Sequence, residues 1–312
     1  MCYSAEVWAD YHRYVKEFGA DVTIQEFVKL YVRRKDGGKV KFPKGMDLAF
    51  ANPQSDEERQ IHALIAEWNE TEATALEQEL FKQKKRLNDA ERTLQTKTTK
   101  KALDDQRIAG NKIEQIMTKL ADLKRTEVKR RDNRIFPMVY APVMVMEDGK
   151  RVIKPMRYLL RPPGAPPSFD TDPSRNGTYN ARRDNLEKFW KKQFGYTHGV
   201  LVVSSFYENV EAEDGKNEVL QFTPQDGELM YIACLWSCWT DPKGVEPDLY
   251  SFAAITDEPP PEVIAAGHDR CVINIKPEHV DAWLNPDLGN LAALYAIFED
   301  KQKPYYAHRL AA

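Results

Sequence analysis

An α+β fold, built on a mostly antiparallel curved sheet or open barrel with flanking helices and an inserted antiparallel helical hairpin, is predicted by three features of this sequence. From Ile135 onward, short apolar runs are separated by Gly, Pro and Asp, which is the pattern of strands. The stretches between those runs are too short for the repeated crossover helices of a doubly wound parallel sheet. Between Ser55 and Arg131 the texture changes: there is no proline, one glycine at position 110, and a dense alternation of Glu, Lys, Gln and Leu, a helical composition.

With 312 residues and 42% hydrophobic content the chain can fill a sizeable core. Its net charge of −3 gives no global basic field, so an anionic partner has to meet a local patch. No apolar run approaches the roughly 20 residues of a membrane span. Glu6, Asp10, Arg13 and Lys16 also interrupt any signal-peptide pattern near the start. A cytoplasmic protein with no membrane contact is expected. The cysteines Cys2, Cys234, Cys238 and Cys271 are too few and scattered for a disulfide scaffold. Cys234 and Cys238 lack the second pair a zinc site needs, so no metal and no cofactor is expected, and three of the four read as core.

Residues 1–54 read as one or two short helices and a loop rich in Gly and Lys, DGGKVKFPKG. Ser55 then precedes Asp56, Glu57 and Glu58, an N-cap with acidic residues in the first turn. Ile61, Leu64, Ile65 and Trp68 share one face, Leu80, Leu87 and Leu94 recur every seven residues, and Ile113, Ile116, Leu120 and Leu123 keep a 3-4-3 spacing. TKTTK at 96–100 interrupts the pattern. The spacing therefore predicts two helices of about 30–40 residues, each about 50 Å long, folded back as a coiled-coil-like arm over 55–131. The body is then 1–54 and 132–312. Its strands are IFPMVYAPVMVM, RVIKPMRYLL, GVLVVSSFYENV, EVLQFTP, ELMYIACLW, LYSFAAIT and CVINI, with helical stretches at Asn185–Lys192 and Pro277–Trp283.

Four short stretches stand out: MCYS at 1–4, NARRDN at 180–185, SSFYEN at 204–209 and GHDRC at 267–271. Taken singly, Glu208 is a solvated strand-end carboxylate and His268 a salt-bridge partner beside Asp269 and Arg270. Taken together and in this order, they resemble the SOS response-associated peptidase (SRAP) family, whose members begin Met-Cys and carry an Asn-Ala-Arg segment, a Glu after aromatic residues at a strand end, and a His-Asp-Arg triplet. MRYLLRPPG at 156–164, LNP at 284–286 and YYAHRLAA at 305–312 are also similar to family segments. The chain departs from the family at Tyr3 and Ser4, where Gly-Arg is common, at Asn209, where Trp is frequent, and at Cys271-Val272, near which a proline usually follows.

The resemblance implies that the protein recognises abasic sites in single-stranded DNA and bonds to them through Cys2, shielding the lesion, with a possible self-processing peptidase activity. It implies Asn180, Glu208 and His268 as active-site residues beside Cys2, Arg182 as an arginine approaching the DNA backbone, and a nucleoid association when DNA is bound. The residue types suit that chemistry. Once Met1 is removed, Cys2 has an α-amine with a reference pKa near 8, nucleophilic at pH 7, and a thiol placed to close a five-membered thiazolidine on an aldehyde. Glu208 and His268 are suited to the proton transfers, and Asn180 to holding the nucleophile by hydrogen bonds. Arg157, Arg161, Arg182 and Arg183 offer a cationic patch for phosphates and Tyr158 a stacking surface for a base. The arm suits a protein partner, self-association or an extended DNA contact. Two other classes fit the same sequence: an N-terminal-nucleophile cysteine hydrolase that does not act on DNA, and a non-catalytic scaffold that works through the arm.

Overall fold

The apolar runs pair as one continuous sheet in a computed structural model that describes residues 3–172, 177–212 and 215–311. Among the described residues the strands are β1 (Ser4–Val7), β2 (Asp21–Val22), β3 (Arg134–Ile135), β4 (Tyr140–Glu147), β5 (Lys150–Tyr158), β6 (Asn180–Arg182), β7 (His198–Glu211), β8 (Asn217–Pro224), β9 (Met230–Trp239), β10 (Leu249–Asp257), β11 (Cys271–Val272), β12 (Asn274–Ile275) and β13 (Tyr306–Leu310). The helices are α1 (His12–Phe18), α2 (Ile24–Lys35), α3 (Lys44–Ala49), α4 (Asp56–Thr96), α5 (Lys100–Lys124), α6 (Pro261–Ala265), α7 (Val280–Leu284) and α8 (Leu291–Glu299). The fold is α+β, and among the described residues no helix is long and apolar enough to cross a membrane.

The expected open barrel is closed. β4 pairs with β5, β5 with β10 at Ser251↔Arg157, β10 with β9, β9 with β7, and β7 returns to β4 at Met144↔Val200. Within this five-stranded ring only the β5–β10 contact is parallel. Closure removes the free edges an open sheet would have to protect. β7 is long enough to do two jobs: His198–Val203 pairs with β9, while Phe206–Glu211 runs on to pair with β8, and β1 lies along its other edge. The stacked rings of Phe206 and Phe222, 5.1 Å apart, pack the β7–β8 extension into the main core.

The described part of the N-terminal 54 residues holds more than was expected: three helices and the strands β1 and β2. β1 is only four residues long and alternates Ser4 and Glu6 with Ala5 and Val7, too short a pattern to read without its partners. Asn185–Lys192 is not an α-helix. Leu186, Trp190 and Phe194 are all buried at helical spacing, but the amides of Gln193 and Phe194 both turn back to the Trp190 carbonyl, so the segment coils as a series of turns.

The arm is a helical hairpin. The Ser55 side chain accepts from the Glu58 amide as an N-cap, and α4 and α5 are joined by 97–99 within TKTTK. α4 has 41 residues and α5 only 25, because Arg125 leaves the helix to pair with Asp132 at 2.6 Å. The fully buried seam is Gln83 and Ala90 on α4 against Ala102, Ala109 and Ile116 on α5, two runs of seven-residue spacing. The leucines picked out by their heptad spacing flank this seam half-buried, since small alanines at the centre let the helices approach closely. At its base the arm enters the body: Ile61 and Ile65 belong to the main core, and the Arg34 guanidinium lies 4.3 Å from the Trp68 ring centroid while bonding Asp47 at 3.0 Å.

Candidate active site

Glu208 sits on the β7 extension, opposite Leu220 of β8 and next to Tyr207, which pairs with Ser4 of β1. Strands on both sides leave its side chain fully buried. His268 reaches it from the turn after α6. There Gly267, at φ +90°, takes the left-handed conformation that other residues resist. The amide of Gly267 bonds the Ile264 carbonyl and that of His268 the Val263 carbonyl, which is a Schellman motif with His268 as its last residue. The glycine thus fixes where the imidazole emerges. Its Nε2 lies 3.1 Å from Glu208 Oε2.

The other ring nitrogen anchors the imidazole to Arg270: His268 Nδ1 lies 2.9 Å from the Arg270 carbonyl oxygen and 3.2 Å from its amide nitrogen. Burial pushes the Glu208 carboxyl up to about 8. Burial also lowers His268 below its ordinary value, against the opposing hydrogen bond to the Arg270 carbonyl. Both groups are then neutral at pH 7, and the pair escapes the desolvation cost of two buried charges. The result is a carboxylic acid with a proton to give and a base beside it to restore that proton.

A second set of polar residues holds β1 against β7, and sequence reasoning did not find it. Glu6 is buried and accepts from Ser205 Oγ at 3.1 Å, Gln221 Nε2 at 3.4 Å and Arg130 at 3.2 Å. Arg134 donates to Ser4 Oγ at 3.0 Å and covers the Tyr207 ring, 3.7 Å from its centroid. A charged residue inside a four-residue apolar-alternating stretch was the available signal. Ahead of this clamp the Tyr3 amide donates to the Tyr207 carbonyl at 3.3 Å, and the Tyr3 ring meets Phe136 edge-on. Met1 and Cys2, the expected nucleophile, lie outside the described residues.

Asn180 opens β6, beside Ala254 of β10. Farther along β10, Thr256 and Asp257 pair with β11, which starts three residues after His268. Asn180 is buried, and its Oδ1 accepts from Tyr158 Oη at 3.5 Å. Tyr158 itself is buried and stacked on Phe252, so it orients Asn180 and presents no open face to a base. Arg157 and Arg161 also differ from the cationic patch expected of them. Both are buried and both bond Asp170, Arg157 at 2.7 Å, so their charges are spent inside the protein. Arg182 and Arg183 do line a surface groove of about 620 Å³ that includes Asp269 and Arg270, the two residues after His268. Arg182 is exposed and pairs with Asp184 at 2.7 Å, while Arg183 bonds Asp257 and Glu299.

The model of the SOS response associated peptidase (SRAP) family matches residues 92–310. Among solved structures, one from Bordetella bronchiseptica is 20% identical, with a TM-score of 0.46, over 60% of this chain and 89% of its own. One from Bacteroides thetaiotaomicron is 14% identical, with a TM-score of 0.47, over 57% and 77%. A phage-related protein from Bordetella bronchiseptica is 17% identical, with a TM-score of 0.42, over 57% and 80%. No curated protein matches.

Proposed function

We propose that this chain, which belongs to the SOS response associated peptidase (SRAP) family, captures abasic sites in single-stranded DNA as a covalent thiazolidine adduct through Cys2. The observation that carries this reading is the buried Glu208–His268 pair, next to the strand that leads back to the N-terminus. The first described residue, Tyr3, donates its amide to the carbonyl of Tyr207, the residue before Glu208. Burial raises the thiols of Cys234 and Cys271 far above their ordinary value and also raises that of Cys238, which suppresses all three as nucleophiles.

The chemistry follows in order. With Met1 removed, the Cys2 α-amine adds to the aldehyde carbon of the ring-opened sugar to give a carbinolamine. The protonated Glu208 delivers its proton to the departing hydroxyl, water leaves, and a Schiff base remains. The Cys2 sulfur then adds to the imine carbon while its proton passes to the nitrogen, closing the thiazolidine. One water is lost overall, and His268 Nε2 is positioned to relay protons to and from Glu208 between steps. Asn180, held by Tyr158, supplies a neutral hydrogen-bonding contact to the nucleophile or sugar, and Arg182 and Arg183 line the path for the strand.

Incubating the full chain with single-stranded DNA carrying one abasic site, followed by a denaturing gel, tests the proposal. The expected result is a shifted band that survives heat and detergent, absent for Cys2→Ala. Intact mass should show a chain beginning at Cys2. An unchanged adduct from Cys2→Ala, or from protein retaining Met1, would overturn the mechanism. Hydrolysis of amide substrates without a shifted band would favour a cysteine hydrolase in its place.

A further inference from the structure

The arm is polarised along its length. From Asp56 to Leu80 it carries eight Asp and Glu against Arg59 as the sole cation, whereas from Phe81 to Lys112, around the tip, ten Lys and Arg face four Asp and Glu. Two of those tip cations are neutralised locally, Arg86 by Asp105 and Arg107 by Asp104. Lys84, Lys85 and Arg92 are exposed and form no ion pair among the described residues. At spacings of three, four and eleven they share a helix face with Phe81, whose side chain is 72% exposed. A phenylalanine left in water on a helix surrounded by lysines has no role in the hairpin seam, which runs through Gln83 and Ala90.

We propose that this tip face is a second binding site for single-stranded DNA, in which Phe81 stacks on a base and Lys84, Lys85 and Arg92 contact phosphates. Cations interleaved with an exposed aromatic are the combination that binds single strands without sequence preference, and a chain with a net charge of −3 concentrates its attraction for phosphate where such residues cluster. At 1.5 Å per residue, Phe81 stands about 37 Å along α4 from its start at Asp56. The arm would therefore hold the strand well away from the body and keep a lesion-bearing segment at high local concentration. The proposal goes beyond the reaction at Cys2 and takes from that reading only the choice of DNA as the anion.

The test is fluorescence anisotropy of the full chain with an undamaged, labelled oligothymidine across a range of salt concentrations, where no covalent adduct can form. Replacing Lys84, Lys85 and Arg92 together by Gln should weaken binding and flatten the slope of log affinity against log salt by about 2, at roughly 0.7 per phosphate contact. Phe81→Ala should weaken binding about 5- to 150-fold and leave that slope unchanged. A control triple at the exposed body residues Lys16, Lys39 and Lys243 should alter neither. Equal binding by the native chain and both tip variants, equal loss in the control, or tighter binding of the native chain to phosphatidylglycerol vesicles than to the oligonucleotide would each overturn the proposal. All variants must share the native circular dichroism spectrum, and Lys84→Glu with Lys85→Glu should exceed the Gln effect. Failure of the adduct assay would remove the Cys2 reading and leave this measurement intact.

Discussion

A carboxyl held protonated near neutral pH makes the Glu208–His268 pair testable by titration. The rate of adduct formation should rise toward pH 8 as the α-amine loses its proton, and fall above about 8 as Glu208 loses its own. Glu208→Gln should slow the reaction by about 10²–10⁴-fold and abolish the falling limb, and a time course across pH reads both. Stability follows the same group with a definite sign. Because the folded pKa lies above the unfolded value, the carboxyl contributes most at low pH, and its contribution declines from about 4.3 up to about 8. Glu208→Gln should therefore unfold at higher urea than the native chain at pH 9. Gly267→Ala asks a β-carbon to adopt φ +90°, which costs about 1–2 kcal/mol and displaces His268. Its signature should be a slowed reaction in protein that is still folded.

At the scale of the element, the arm divides into a base that belongs to the core and a tip that does not. Ile61 is fully buried among body residues, and Ile61→Ala should cost about 2–5 kcal/mol. Removing residues 72–118 and joining the helices by a short turn should leave urea unfolding nearly unchanged, because none of the residues lost belongs to the main core and a short closure costs little. Cutting at Ser55 and Arg131 also deletes Arg125 and Arg130, the partners of Asp132 and Glu6. That larger deletion should loosen β1 and slow adduct formation even where the body still folds. Adduct rates for the two deletions at saturating DNA, where the tip site no longer limits capture, check this: the shorter at the native rate, the longer below it.

For the whole molecule, the interior ion cluster links stability to acid. Asp170 is buried, which by itself would raise its pKa, but hydrogen bonds from Arg161 and Arg157 overcome this and hold it below the ordinary carboxylate value. A depressed carboxyl contributes stability that is present above its unfolded pKa of about 3.9 and is lost as pH falls through the lower folded value. Asp170→Asn removes the charge that compensates two buried guanidinium groups and should cost about 3–5 kcal/mol at pH 7. The gap to the native chain should narrow in acid, which urea unfolding at two pH values will read. Arg157 and Arg161 close the parallel β5–β10 junction of the barrel, so the cluster fastens the ring at its least regular pairing.

What the sequence determined by itself was local. The strand runs, the Ser55 cap, the TKTTK break and the α+β class are written in nearest-neighbour patterns of apolarity, capping and turn residues, and each appears where those patterns put it. The family resemblance also lay in short contiguous motifs, and Glu208 and His268, 60 positions apart, are brought together as two of them. Tertiary structure alone decided the rest. Barrel closure depends on β7 meeting both β4 and β9, contacts that no local pattern encodes. Burial of Arg157 and Arg161 depends on Asp170 arriving from a separate segment, and a guanidinium reads the same in a sequence whether its partner is a phosphate or a buried carboxylate. The role of Glu6 is invisible until β7 and β8 supply Ser205 and Gln221 around it. A charge shows what it can bind, and only the fold fixes which partner it meets and how much water stays with it.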